Sequence, residues 1–133
     1  KILIKNEKNN ESFLILKKII DEKHKFYSPL SLSLIIDFQL EKNNESMIQL
    51  FDKVLSIKKI NKEDLDLIKI KKALFLSNYG NEEEMLKILN PVINSNSVWR
   101  LNAIKLLAAY FSNKGDLLKA DEYYKLLSNI NSK

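Results

Sequence analysis

The chain has 133 residues, of which 45% are apolar and 29% are charged, and it carries a net charge of +5. These values are ordinary for one soluble globular domain, so we predict a single domain over residues 1–133. The absence of Cys excludes disulfides and thiolate metal sites, and no apolar run reaches the roughly 18 residues of a membrane-spanning helix. Two Gly and two Pro are too few for the many turns of a β protein, which favours helices.

A repeated hexapeptide sets the order of the predicted elements. EKNNES occurs at residues 7–12 and again at 41–46, with starts 34 residues apart. Related stretches, YGNEEE and KGDLLK, follow at residues 79–84 and 114–119. A period of this length is typical of helical-hairpin repeats, so each stretch is predicted to be the turn between two paired helices.

The residues of these turns indicate where helices end and begin. Gly80 and Gly115 suit the left-handed residue just after a helix, and Asn81 and Asp116 suit the N-cap of the next one. Other predicted helix starts carry a side chain that can accept from a free backbone N–H, namely Asn10, Ser28 (before Pro29), Asn44, Asn61 and Ser97.

Seven helices are predicted, near residues 11–24, 29–42, 45–59, 62–79, 82–94, 98–113 and 117–130. Residues 1–6 are predicted to be the tail of a further helix that begins before Lys1. Pro91 is expected to kink or end its helix. PLSLSLII and DLDLIKIKK alternate as strands do, but the repeat places both inside helices. The predicted fold is all-α, a right-handed superhelical array of antiparallel helix pairs.

The apolar spacing within each predicted pair gives a candidate core, because residues three or four apart share one face of a helix. These positions are Ile35, Phe38, Met47, Phe51, Val54, Ala73, Leu76, Met85, Leu89, Val92, Trp99, Ala103, Leu107, Tyr110, Leu117, Ala120, Tyr124 and Leu127.

The last unit, RLNAIKLLAAYFSNKGDLLKADEYYKLL, resembles the tetratricopeptide repeat family. The resemblance is carried by Ala108 where the helices cross, by Gly115 and Asp116 in the turn, and by Ala120 and Tyr124 in the second helix. It covers about residues 7–133 and is looser upstream. It implies an α-solenoid that binds proteins and performs no chemistry.

The segments YSPLSLSLIIDFQLEKNN, LIKIKKALFLSNYGNEEEMLKIL and NSVWRLNAIKLLAAYFSNKGD resemble more specifically one bacterial subfamily. Its members are single-span membrane proteins related to the ancillary subunit of the Sec translocon. The resemblance implies a domain in the periplasm, anchored in the inner membrane and acting near the translocon or periplasmic chaperones. A start at Lys1 rather than Met agrees with an anchor before it. A soluble cytoplasmic protein is the alternative.

The sequence contains few side chains that could perform catalysis. The only His, His24, is predicted to lie on the surface at a helix end, where a cation meets the C-terminal dipole. Two isolated Gly cannot form a phosphate loop. We therefore predict that the chain is not an enzyme and has no cofactor, metal site or catalytic residue.

In tetratricopeptide proteins the first helix of each pair lines a concave groove. The repeat assigns this groove to Leu32, Ile36, Gln39, Leu40, Leu67, Ile70, Leu74, Asn78, Asn102, Lys105, Ala109 and Asn113. The family's clamp for a carboxylate uses Lys and Asn, and because Ile36, Leu74 and Ala109 replace Asn, we predict that this clamp is absent. The groove is predicted to take an amphipathic helix or an unfolded apolar segment.

Three functions stay open at this stage. The first is a membrane-tethered module that binds a protein or peptide, and the second is a scaffold in which a second copy covers the apolar surface. The third is a Lys-dependent binder of nucleic acid or anionic lipid, which is less favoured because Arg100 is the only Arg. The extra apolar side of the predicted helix at 29–42 is explained more simply by packing against a helix that precedes Lys1, or against a neighbouring unit, than by a partner.

Overall fold

The computed structural model describes the backbone of residues 2–131 and the side chains of residues 7–130. Over this part of the chain the fold is all-α, with no strand. The seven helices are α1 (Ile2–Asp21), α2 (Tyr27–Asp37), α3 (Asn44–Leu55), α4 (Lys62–Ser77), α5 (Glu82–Ile93), α6 (Arg100–Lys114) and α7 (Leu117–Asn131). The predicted class is confirmed, and the two stretches with strand-like alternation are both helical. The superhelical arrangement stays a prediction.

The chain divides into two compact units, Lys1–Ile68 and Lys69–Lys133, with the division inside α4. Each unit is described by itself below. The prediction that residues 1–133 form one domain stays a prediction.

In the first unit α1 packs against α2, and α3 packs against both. An ion pair of 2.7 Å between Lys53 Nζ and Asp21 Oδ1 joins α3 to the end of α1. The buried apolar side chains are Ile20, Leu32, Ile35, Met47, Leu50, Phe51, Val54, Ile57, Ile60 and Ile68. Most of the predicted core positions of this unit are therefore confirmed. Phe38 was predicted wrongly, since it is 68% exposed at the end of α2.

In the second unit α6 packs against both α5 and α7. The buried apolar side chains are Ala73, Leu76, Met85, Leu89, Val92, Ile93, Ala103, Ile104, Leu107, Ala108, Phe111 and Ala120. The predicted face of α7 was partly wrong, because Leu117 and Tyr124 are exposed. Tyr123 rather than Tyr124 faces α6, and its ring stacks on Phe111 with 5.7 Å between centroids. Tyr123 lies three residues after the buried Ala120 and so shares its side of the helix.

The two copies of EKNNES have different conformations. The first copy lies inside α1, which is helical from Ile2 onward, so the predicted turn at residues 7–12 and the separate helix at its start are wrong. The second copy forms the link before α3, where the side chain of Asn43 accepts from Ser46 N at 2.9 Å. The N-cap is thus Asn43 and not the predicted Asn44, and Asn10 caps nothing.

The residues before the second copy explain the difference. Gln39 has φ of 50°, in the left-handed region, and closes α2. Gln39 N donates to Ile36 O and Leu40 N donates to Ile35 O, which is the hydrogen-bond pattern of a Schellman ending. The first copy follows residues 2–6, which are already helical, so the helix continues through it. The conformation of the hexapeptide is therefore set by its flanks.

The predicted turns at YGNEEE and KGDLLK are confirmed, whereas Ser97 is not the N-cap of α6, because that helix begins at Arg100 after Trp99. Gly80 and Gly115 have φ of 76° and 90°. The Asn81 and Asp116 side chains accept from Glu84 N and Lys119 N, at 3.4 and 3.2 Å. Asn61 likewise accepts from Asp64 N at 2.9 Å, also as predicted. Pro91 does not end α5 at once, since the helix continues for two residues to Ile93.

The start of α2 differs from the prediction that Ser28 would be its N-cap. The helix begins at Tyr27, and His24 Nδ1 accepts from the backbone N of Phe26 and of Tyr27, each at 3.2 Å. The buried Ser28 hydroxyl accepts from His24 N and donates to Ile19 O, which closes the turn onto α1. His24 is exposed, as predicted, but it caps a helix start rather than meeting a helix end.

Candidate functional site

A groove of about 460 Å³ lies between the C-terminal part of α4 and α6, within the second unit. We call it the α4–α6 groove. Its lining residues are Leu74, Ser77, Asn78, Leu106, Ala109, Tyr110, Asn113 and Lys114. The groove is open to solvent along one side, as an extended ligand requires.

Four of the residues predicted to contact a partner meet in this groove. Leu74 and Asn78 come from α4 and the turn that follows it, and Ala109 and Asn113 come from α6. Each pair is separated by four residues, which places its two members on one face of the helical segment. These four residues of the predicted groove therefore lie together, and their binding of a partner stays a prediction.

The lining of the α4–α6 groove combines apolar and polar side chains. Leu74, which is 56% exposed, Leu106 and Ala109 supply apolar surface. The exposed amides of Asn78 and Asn113 can each donate and accept hydrogen bonds. Such an arrangement suits a ligand that carries both apolar side chains and backbone amides.

The cation at the edge of the groove is paired. Lys114 Nζ donates to Glu82 Oε1 at 2.5 Å, and Lys119 Nζ lies 3.8 Å from Glu82 Oε2. The hydrogen bond from Lys114 holds the pKa of Glu82 below its ordinary value of 4.5, and the same bond raises the pKa of Lys114. Sequence reasoning assigned Glu82 only to the first turn of a helix. The pairing joins residues 32 apart, and no local pattern marks it.

The remaining predicted groove residues of the second unit lie outside this set. Asn102 and Lys105 are exposed on α6, and Ile70 is half-buried on α4. None of the three lines the α4–α6 groove.

In the first unit the predicted groove residues have different environments. Leu32 is only 1% exposed and belongs to the core, so its assignment to a binding surface is corrected. It lies on the same side of α2 as Ile35, the side that packs inward. Ile36 and Leu67 are half-buried, and Gln39 is exposed as the left-handed residue after α2.

A second groove, of about 420 Å³, lies between α1 and α2. It is lined by Asn9, Ser12, Ile15, Leu16, Leu34, Phe38 and Leu40. Leu40 is the one member that was predicted to face a partner. Asn9 and Ser12 were not predicted to line a groove because the sequence assigns them to a turn. Phe38 was not, because the sequence assigns it to the core. The signal available was the almost uniformly apolar composition of residues 29–40, which exceeds what one buried face needs.

Among the described residues, no three or more Asp, Glu or His side chains are grouped so as to hold a metal ion. No helix in the described part of the chain has both the length and the apolar character needed to cross a bilayer. Comparisons with protein-family models, curated proteins and solved structures found no match.

Proposed function

We propose that the chain is a non-enzymatic protein–protein interaction module and that the α4–α6 groove holds an extended segment of a partner protein. The observation that carries the proposal is the meeting of Leu74, Asn78, Ala109 and Asn113 in one open groove. All four are positions that the repeat in the sequence predicts to face a partner.

The chemistry of the groove favours a peptide over a small charged ligand. The Asn78 and Asn113 amides can pair with the alternating C=O and N–H groups of an extended backbone, while Leu74 and Ala109 contact an apolar side chain. Lys114 is engaged by Glu82, so a carboxylate would have to compete with that ion pair. A neutral, apolar segment is therefore the ligand that fits.

The resemblance to the Sec-related subfamily supports a cellular setting for this activity. On that basis we propose a domain held at the bacterial inner membrane that faces the periplasm and contacts the translocon or a periplasmic chaperone. Fractionation of cells expressing the full-length protein tests this setting, and recovery in the cytosolic fraction would contradict it.

A peptide-display selection on the chain tests the groove itself. We expect enrichment of peptides with apolar residues and little charge. Leu74→Asp should lower the affinity for the selected peptides at least about tenfold. The reason is that a carboxylate would then replace an apolar side chain in the lining of the groove. Asn78→Ala with Asn113→Ala should weaken them by a similar factor, because hydrogen bonds of about 1 kcal/mol each are lost.

Leu118→Asp is the matched control, because Leu118 is 83% exposed on α7 and does not line the groove. It should leave peptide binding unchanged. Unaltered circular dichroism should show that every variant is folded. Peptides that bind the Leu74→Asp variant as well as they bind the unmodified chain would refute the α4–α6 groove as the site.

A further inference from the structure

The outward side of α2 is an exposed apolar surface within the first unit. It consists of the exposed Phe26, Tyr27, Leu30 and Phe38 together with the half-buried Leu34, and we call it the α2 outer face. Phe26 and Phe38 are 65% and 68% exposed, and Leu30 is 55% exposed. The opposite side of the helix carries the buried Ser28, Ser31, Leu32 and Ile35. The α2 outer face is thus not required for the core of its own unit.

The charges around the α2 outer face are arranged by sign. From Phe26 to Ile36 the sequence contains no charged residue. Lys23 and Lys25 lie before the N-terminus of α2, and Asp37 and Glu41 lie at its C-terminal end. Among the side chains that the structure describes, neither Lys25 nor Asp37 forms an ion pair. The charges nearest to the face in the sequence are therefore Lys25 at one end and Asp37 at the other, with Glu22 and Lys42 farther from it.

We propose that a second copy of the chain binds to the α2 outer face, with the two α2 helices antiparallel about a twofold axis. A twofold axis places residue i against residue j and residue j against residue i. Centred near Leu32, this pairing sets Phe26 against Phe38 of the other copy and Leu30 against Leu34. It places Lys25 opposite Gln39, two residues along the chain from Asp37. The Lys25 end of each helix then lies beside the Asp37 end of the other. The positive end of each helix dipole also lies beside the negative end of the other dipole, which is favourable.

The shape of the surface is also self-complementary. Phe26 projects at the N-terminal end of α2, whereas the groove between α1 and α2 lies at the C-terminal end, beside Leu34 and Phe38. The antiparallel arrangement therefore directs the Phe26 ring of each copy towards the groove of the other. A parallel arrangement would instead set Lys25 against Lys25 and Asp37 against Asp37.

The area agrees with what a stable dimer needs. With exposures of 55–68%, Phe26, Tyr27, Leu30 and Phe38 present on the order of 500 Å² of mostly apolar surface. A standard interface buries about 800 Å² per partner, of which somewhat more than half is apolar, and its centre is depleted of charge. An anionic membrane would be met by only one end of this face, because the other end carries Asp37 and Glu41.

Sedimentation velocity over a range of protein concentrations tests the proposal. We expect the unmodified chain to form a dimer at micromolar concentration. Leu30→Asp should weaken the dimer about 100-fold, because the substitution occurs twice in a twofold interface. Leu118→Asp on α7 replaces a Leu that is even more exposed but lies away from the face, and it should leave the dimer intact. Phe26→Ser is a second variant of the face that introduces no charge, and it too should dissociate the dimer.

Charge exchange tests the antiparallel arrangement directly. Lys25→Glu should weaken the dimer, and adding Asp37→Lys in the same chain should restore it, because each reversed end again meets its opposite. A chain that stays monomeric at all concentrations would overturn the proposal, as would a double variant that does not recover. Binding of a monomer to phosphatidylserine vesicles, lost in Leu30→Asp, would likewise overturn it and assign the face to lipid. None of these three outcomes depends on whether the α4–α6 groove binds peptides.

Discussion

Replacing the third residue of each EKNNES copy by Ala should change stability in opposite directions. Asn43→Ala removes the side chain that accepts from Ser46 N at 2.9 Å, and loss of such a cap lowers the free energy of unfolding by about 1 kcal/mol. Asn9→Ala makes the same change inside α1, where Ala has the higher helix propensity. This substitution should raise the free energy of unfolding by about 0.5 kcal/mol.

The expected difference between the two variants is therefore about 1.5 kcal/mol, well above the error of a comparison by urea denaturation. Far-ultraviolet circular dichroism at one low protein concentration is a suitable signal. If the two copies were equivalent turns, both substitutions would remove a cap and both would destabilise. Destabilisation of similar size by Asn9→Ala would refute the helical assignment of the first copy.

Two further predictions concern the end of α2 and the rim of the α4–α6 groove. Gln39→Gly should stabilise the protein by about 1 kcal/mol, because it removes the backbone strain of a non-Gly residue with positive φ. Gln49→Gly, inside α3, should destabilise the protein by about as much in the same denaturation assay. Because Lys114 lowers the pKa of Glu82, the stability from this pair is present above the ordinary value of 4.5 and is lost as the pH falls through the lowered value. In Lys114→Met the pKa of Glu82, followed by NMR, should move upward, and an unchanged value would show that the hydrogen bond is not formed.

The sequence predicted helices well wherever a cap or a Gly marks their ends. The starts of α3 to α7 lie within two residues of the predicted positions, and the left-handed conformations of Gly80 and Gly115 were foreseen. These features are local, because each depends on a side chain bonding to backbone a few residues away. The core of α6 followed in the same way from the spacing of Ala103, Leu107 and its neighbours.

The differences between sequence and structure lie where the conformation depends on residues outside the local motif. The first EKNNES copy was assigned to a turn by analogy with the second, although the turn depends on Gln39, which lies before the hexapeptide. The cap supplied by His24 was missed because imidazole is rarely considered as a cap. Half of the α4–α6 groove was found from the repeat, but the pairing of Lys114 with Glu82 depends on how α5 and α6 pack.

The two conformations of EKNNES give the protein an internal reporter of unfolding. All six residues of the first copy are exposed on a helix. In the second copy the same six residue types form an irregular link and the start of a helix. An antibody raised against the linear hexapeptide should find two equivalent epitopes on the denatured chain. On the native protein it should meet two different shapes and bind at most one of them well. The number of antibody molecules bound per chain would then be two for the unfolded protein and at most one for the folded protein. This ratio would report the unfolded fraction without a label on the protein.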